Sequence, residues 1–181
     1  MVAHEQTHSE LSSPESEDGR VDRVAFRHEL ETVFGELGDL LNEISDDDWA
    51  HKNTGTNWTL GEVAYHVYAS VLSYYPREVE CARTGKDLFN PPAVLAPIMG
   101  TITYYVFRRQ ARTSSALSLR TAFVGDVAAA LRAFDSITEE EWHKGAHFYG
   151  EGFRSQEDLV RLKRRHFEEH AGQIRGARAR G

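Results

Sequence analysis

Apolar residues recur along this chain with a helical period, and four stretches carry the pattern. Phe26, Leu30, Val33, Phe34, Leu37, Leu40, Leu41 and Ile44 follow one another at spacings of three and four, which predicts a long first helix with one buried stripe. A second helix is predicted after Trp58, with Thr59 as N-cap and Glu62 at capping-box spacing, and with Leu60, Ala64, Val67, Val71 and Tyr74 on one face. Gly85 is placed to end it, and Pro76 to kink it earlier. The signal returns with Leu119, Phe123, Val127, Ala130, Leu131, Phe134 and Ile137. A last helix starts near Ser155, where Asp158 has capping-box spacing, and carries Leu159, Leu162, Phe167 and Ile174. Strand-like alternation is almost absent, so the expected fold class is all-α.

The remaining segments read differently. Residues 1–20 lack apolar periodicity and are biased to Ser, Glu and Pro, which predicts a disordered tail, and an Arg/Gly/Ala run at 177–181 predicts a short second one. The domain is expected over 21–176. Between the second and third long helices, Asn90-Pro91-Pro92 marks a turn, and Ala93–Arg109 suggests an extra apolar helix distorted at Pro97 and Gly100. One similarity relates the halves of the chain: Ile44-Ser-Asp-Asp-Asp-Trp49 closes the first long helix and Ile137-Thr-Glu-Glu-Glu-Trp142 the third. Each precedes a glycine-containing loop and a capped helix that carries histidine. Two duplicated helix–loop–helix units would make a four-helix bundle, although acidic helix starts after Ser or Thr are common enough to coincide.

Composition narrows the function. With 181 residues, 40% hydrophobic and 27% charged, the chain suits one globular domain. Its net charge of −7 argues against broad binding to nucleic acid or anionic membranes. The single cysteine, Cys81, excludes an internal disulfide and any Cys-based zinc module, and reads as a small hydrophobe late in the second helix. The longest apolar stretch, Ala93 to Phe107, is interrupted and shorter than the ~18 residues of a membrane span, and the polar, acidic start does not resemble a signal peptide. A cytoplasmic location is expected.

Nine histidines are the chemical feature to follow. His166 and His170 stand four apart in the continuous row Leu159, Leu162, His166, His170, Gln173, so both take the place of inward apolar residues while Arg161, Arg164, Arg165, Glu168 and Glu169 face outward. Two buried imidazoles without a common partner would be costly, whereas a shared metal uses both as neutral ligands; the plain alternative is two half-buried rings bonded to separate groups. His66 borders the same core from the second helix. Together the three make a possible His₃ site, with a position left for water or substrate. The other histidines fit less well. His143 and His147 flank Gly145 after a turn, His28 lies near a polar face, His51 is in a loop, and His4 and His8 belong to the tail. The string from His166 to His170 also satisfies H-x-x-E-H, but only 11 residues follow for the further carboxylate such peptidases need.

Two motifs then carry a family resemblance. Trp58-Thr-Leu-Gly-Glu-Val-Ala-Tyr-His66 resembles the W-[ST]-x-x-E-x-x-x-H signature of the DinB-like superfamily, and His166-x-x-x-His170-x-x-Gln173-Ile174 resembles its C-terminal H-x-x-x-H-x-x-Q-I signature. The resemblance covers roughly residues 21–176. It implies a four-helix bundle connected up-down-down-up, with the apolar segment inserted between helices 2 and 3, and a divalent metal, often nickel or zinc, on His66, His166 and His170. It further implies kinship with mycothiol-dependent maleylpyruvate isomerases and bacillithiol transferases. The expected activity is therefore a thiol-dependent S-transferase or isomerase acting on a small molecule, in a homodimer. The excess of Arg over Lys, 17 to 4, fits a GC-rich genome and hence mycothiol. A metal-dependent hydrolase without thiol, or a non-enzymatic metal-binding or dimerising protein, are the alternatives. Arg108 and Arg109 suit either a carboxylate clamp or an ordinary solvated helix end, and Glu62 either a general base or a cap.

Overall fold

Each of the four helices predicted from an apolar stripe begins at a residue whose side chain satisfies an otherwise unpaired N–H. Helix α1 (Arg23–Glu43) starts at Asp22, which accepts the Ala25 N–H at 2.9 Å. Thr59 and Glu62 form the predicted capping box of α2 (Leu60–Tyr68). Ser115 caps α5 (Ala116–Asp135), and Ser155 with Asp158 caps α6 (Gln156–Arg178). The computed structural model describes residues 22–52, 54–88, 96–148 and 152–179, without the side chains of 96–101 and 103. The expected 1–20 tail and the Asn90-Pro91-Pro92 turn lie outside the described residues.

The second long helix changes pitch where Pro76, having no N–H, cannot make the regular helical bond to the Leu72 carbonyl. Residues Ala69–Ser73 widen into a π turn closed by the Tyr74 N–H on the Ala69 carbonyl at 2.9 Å. Helix α3 (Tyr75–Thr84) then continues with Pro76 in its first turn and stops at Gly85, whose φ of +67° is the left-handed conformation that glycine adopts without strain.

Contacts between helices give their directions. Arg27 at the start of α1 pairs with Asp135 at the end of α5 (3.0 Å), and Arg120 near the start of α5 donates to the Leu41 and Ile44 carbonyls at the end of α1 (3.1 and 2.8 Å), so these helices are antiparallel. Arg164 with Glu36 (2.7 Å) and Arg178 with Glu43 (3.0 Å) make α6 parallel to α1. His66 lies against His166, while Gln156 donates to the Val79 carbonyl at 3.0 Å, so α2–α3 runs opposite to α6. Tyr68 bonds to Asp126, and Arg83 to the Ser136 carbonyl at 3.1 Å, so α2–α3 is parallel to α5. The result is the expected up-down-down-up bundle. The parallel pair α2–α3 and α5 cannot be joined by a short turn, and α4 (Ala96–Arg112) is the returning crossover, laid along α2. From Ala96 to Arg112 it is one uninterrupted helix, with Pro97 in its first described turn and Gly100 within it.

The core collects the predicted stripes. Trp142 is fully buried, stacked on Phe26 with centroids 5.8 Å apart and edge-on to Phe134 at 5.5 Å. The two acidic motifs form the same turn. Ser45 Oγ accepts the Asp48 N–H at 3.2 Å while Asp48 returns to the Ser45 N–H at 3.0 Å, and Thr138 and Glu141 repeat the exchange. Ile44 and Ile137 are both buried beneath these turns. The sequels differ. Trp142 leads not to a loop but to an antiparallel hairpin, β1 (Gly145–Phe148) and β2 (Gly152–Ser155), with Gly145 opposite Ser155. Four residues per strand are too few for alternation to declare itself, which is why this element escaped the sequence pattern. The hairpin is fastened to the end of α3 by Asp87, which accepts the His147 N–H at 3.0 Å. No helix among the described residues is long and apolar enough to cross a membrane.

Glycine substitutions probe this packing. A Cβ on Gly61 would lie 2.4 Å from the Trp49 indole, whereas one on Gly125, on the exposed side of α5, would meet nothing within 4 Å. Gly61→Ala is expected to destabilise by about 1–3 kcal/mol, and Gly125→Ala to stabilise by about 0.5–1 kcal/mol, both read from urea denaturation midpoints.

Candidate metal centre

The inward row of α6 and the last turn of α2 meet in the upper half of the bundle. His166 and His170 lie one turn apart on α6, and His66 faces them from α2; the ring centroids are separated by 4.7, 4.8 and 5.1 Å. One ring nitrogen from each falls within 4.8 Å of the others. The Nε2 atoms of His66 and His166 are 3.0 Å apart. Two nitrogens at ~2.0–2.1 Å from a shared tetrahedral ion would be about 3.3 Å apart, so a small adjustment accommodates one.

The tautomers favour the same use. His170 Nδ1–H donates to Gln173 Oε1 at 2.9 Å, which leaves Nε2 with its lone pair turned to the centre. His66 Nδ1 is buried and has no hydrogen-bond partner. Burial, reinforced by the neighbouring imidazoles, lowers the pKa of His66 to about 4 and that of His166 to about 3. Both rings are therefore neutral at pH 7, the form that ligates metal. Three convergent imidazoles without a carboxylate among them, two held neutral by burial and one with an orphaned nitrogen, fit a divalent ion better than they fit one another.

Aromatic rings wall the centre. Phe107 of α4 stands edge-on to His66 at 4.8 Å, and Trp58 lies on another side at 5.4 Å, itself against Tyr104 at 5.3 Å. Glu62 secures this wall. Beyond its capping bond to the Thr59 N–H (2.9 Å), it accepts Arg108 Nε at 2.8 Å, and Arg108 also donates to the Tyr104 hydroxyl at 2.7 Å. Arg108 thus clamps a carboxylate, but one belonging to this chain, and is not the solvated helix end that its position suggests; Arg109 is exposed. A cleft of about 780 Å³ opens beside His66 and His166, between α4 and the π turn.

A helical bundle with three inward histidines from two facing helices and an adjoining cleft defines a class of candidate metal-binding bundle proteins. The family model of the DinB superfamily matches residues 29–174, and the chain belongs to that superfamily. Searches of curated proteins and of solved structures return no match.

Among the described residues, the other histidines stay apart from this centre, and His4 and His8 lie outside those residues. His28 and His51 are exposed, and His147 sits outward on β1 with its ring 3.5 Å from Asp87. Cys81 is half-buried, and burial raises its thiol pKa, which suits a packing role over a nucleophilic one. Three charged residues at the cleft, Arg77, Glu78 and Lys163, were missed in the sequence. Lys163, only 1% exposed, donates to the Ser70 carbonyl of the π turn at 2.7 Å and forms an ion pair with Glu78. Its spacing, three residues before His166 on the inward face of α6, was the available signal.

The depressed histidine pKa values predict a pH dependence. In the unfolded chain these imidazoles protonate near 6.5, but in the fold only near 4 and 3, so between those limits the unfolded state binds more protons. Their contribution to the stability of metal-free protein is full above about pH 6.5 and is lost as pH falls toward 3. Denaturation midpoints measured from pH 7.5 to 4 should fall less steeply for a His66→Gln/His166→Gln double variant than for the unaltered protein.

Proposed function

We propose that this chain is a divalent-metal-dependent enzyme whose ion is held by His66, His166 and His170, and which acts on a small molecule together with a low-molecular-weight thiol, as an S-transferase or isomerase. A nickel or zinc ion held by these three imidazoles would supply a Lewis-acidic centre able to lower the pKa of a thiol toward neutral. The protein's own groups orient and shield. Gln173 fixes the His170 tautomer, and Phe107 and Trp58 keep water from two sides of His66.

The observation that favours a thiol over activated water is the lack of a free base. Glu78 is the only carboxylate lining the cleft among the described residues, and Lys163 holds it. Glu62 has one oxygen on the Thr59 N–H and the other on Arg108, so it is spoken for as well. Chemistry that ionises its own nucleophile and needs no separate carboxylate base suits such a site better than hydrolysis in which a carboxylate takes the proton of water. A second reading draws on α4, where Ile102, Tyr105 and Val106 are 44–63% exposed. That face would serve a homodimer, with or without catalysis.

Elemental analysis of gently purified, untagged protein is expected to give close to one equivalent of nickel or zinc. His66→Ala, His166→Ala and His170→Ala should each lose most of it, while His143→Ala and His147→Ala retain it. Dependence on His143 and His147 with His66 dispensable would overturn the assignment. Metal-loaded protein should accelerate conjugation of mycothiol or a related thiol to an electrophilic dye, and His166→Ala should abolish this; a rate indifferent to thiol would select the hydrolase reading.

A further inference from the structure

The cleft beside the imidazoles has two unlike halves. Its α4 side is apolar, with Ile102, Val106 and Phe107 facing Leu162. Its floor and far end are polar, and nearly every group there is a hydrogen-bond donor. Arg77 of α3 lines the cleft, is exposed, and has no carboxylate partner among the described residues. Tyr74 directs its hydroxyl proton to Gln110 Oε1 at 3.4 Å, which leaves the Gln110 amide NH₂ available as a donor. Lys163, buried at the floor, uses two of its three N–H groups on Ser70 and Glu78. The charged lining is therefore two cations against one anion, and the anion is already neutralised.

This arrangement is built for an anion at the end away from the imidazoles. Arg77 stands eleven residues beyond His66 along α2–α3, about 16 Å of helix rise, part of which the long guanidinium side chain spans. The volume of about 780 Å³ suits a medium-sized organic molecule. We infer that the cleft binds an organic carboxylate with an extended apolar body: the carboxylate on Arg77 and the Gln110 amide, the body along Val106, Phe107 and Leu162, and the distal end at the imidazoles. The inference rests on the proposed function only in taking the imidazole end as the reactive one. The anchoring itself requires no metal. Arg77 and Gln110 are specificity-determining residues in this scheme, and Lys163 keeps Glu78 from presenting an uncompensated negative charge to the bound carboxylate.

Octanoate, octanamide and octylamine serve as probes that share a chain and differ in charge. Their binding is measured by calorimetry on the protein as purified and after chelator treatment, at pH 7.5. Octanoate is expected to bind at least about tenfold more tightly than octanamide, octylamine not detectably, and chelation to leave the order unchanged. Arg77→Gln, at an exposed position, should remove the preference for octanoate over octanamide by about tenfold while leaving metal content and unfolding midpoint as they were. Gln110→Leu should weaken octanoate binding in the same sense, and His170→Ala should not change it. Equal affinity for octanoate and octanamide, or an octanoate preference that survives Arg77→Gln, would overturn the inference. An octanoate preference lost on chelation would move the carboxylate to the metal and overturn it too. If instead the protein takes up no metal but discriminates among the probes as described, the metal reading fails and the carboxylate anchor stands.

Discussion

Two neighbouring helices that point the same way cannot be joined by a tight turn, and this constraint organises the molecule. Because α2–α3 and α5 are parallel neighbours, the chain must travel back along the bundle between them, and α4 is that return path. A bundle of four alternating helices would leave the imidazole cluster open at its side. Here the crossover lies over it, placing Phe107 against His66 and forming one wall of the cleft. The link from Glu62 to Arg108 then joins the start of α2 to α4, so that one carboxylate both begins a helix and positions its cover.

The π turn extends this economy to the floor. Pro76 denies the preceding turn its regular hydrogen bond, the helix widens over Ala69–Ser73, and the Ser70 carbonyl points to Lys163 across the interface. A buried ammonium is tolerated there because it meets both a carbonyl and the Glu78 carboxylate. The floor of the cleft therefore carries charge through its connection to a backbone irregularity.

Much of this was legible in the sequence, for identifiable reasons. Long amphipathic stripes and their capping residues are local signals, and the starts of α2 and α6 follow from Thr59 and Ser155. The three histidines were legible because they interrupt apolar rows at helical spacing and sit in two motifs in the right order. The hairpin at 145–155 was not, since four-residue strands paired only with each other carry almost no periodicity. Nor were the partners of Arg108 and Lys163. Each ion pair joins elements far apart in the chain, Arg108 to Glu62 and Lys163 to Glu78, and no spacing rule reports such a meeting.

The twin turns at Ser45–Asp48 and Thr138–Glu141 have a consequence for the centre itself. They make α1 the counterpart of α5 and α2 the counterpart of α6, a frame with approximate two-fold rotational balance. The imidazoles divide one to two between α2 and α6, so the site does not share the balance of the frame that holds it. Counting from the caps, His66 of α2 corresponds to Leu162 of α6, and His166 to Ser70. Where one half supplies an imidazole, the other supplies a cleft-lining residue, so the site is lopsided within a frame whose halves open on the same turns.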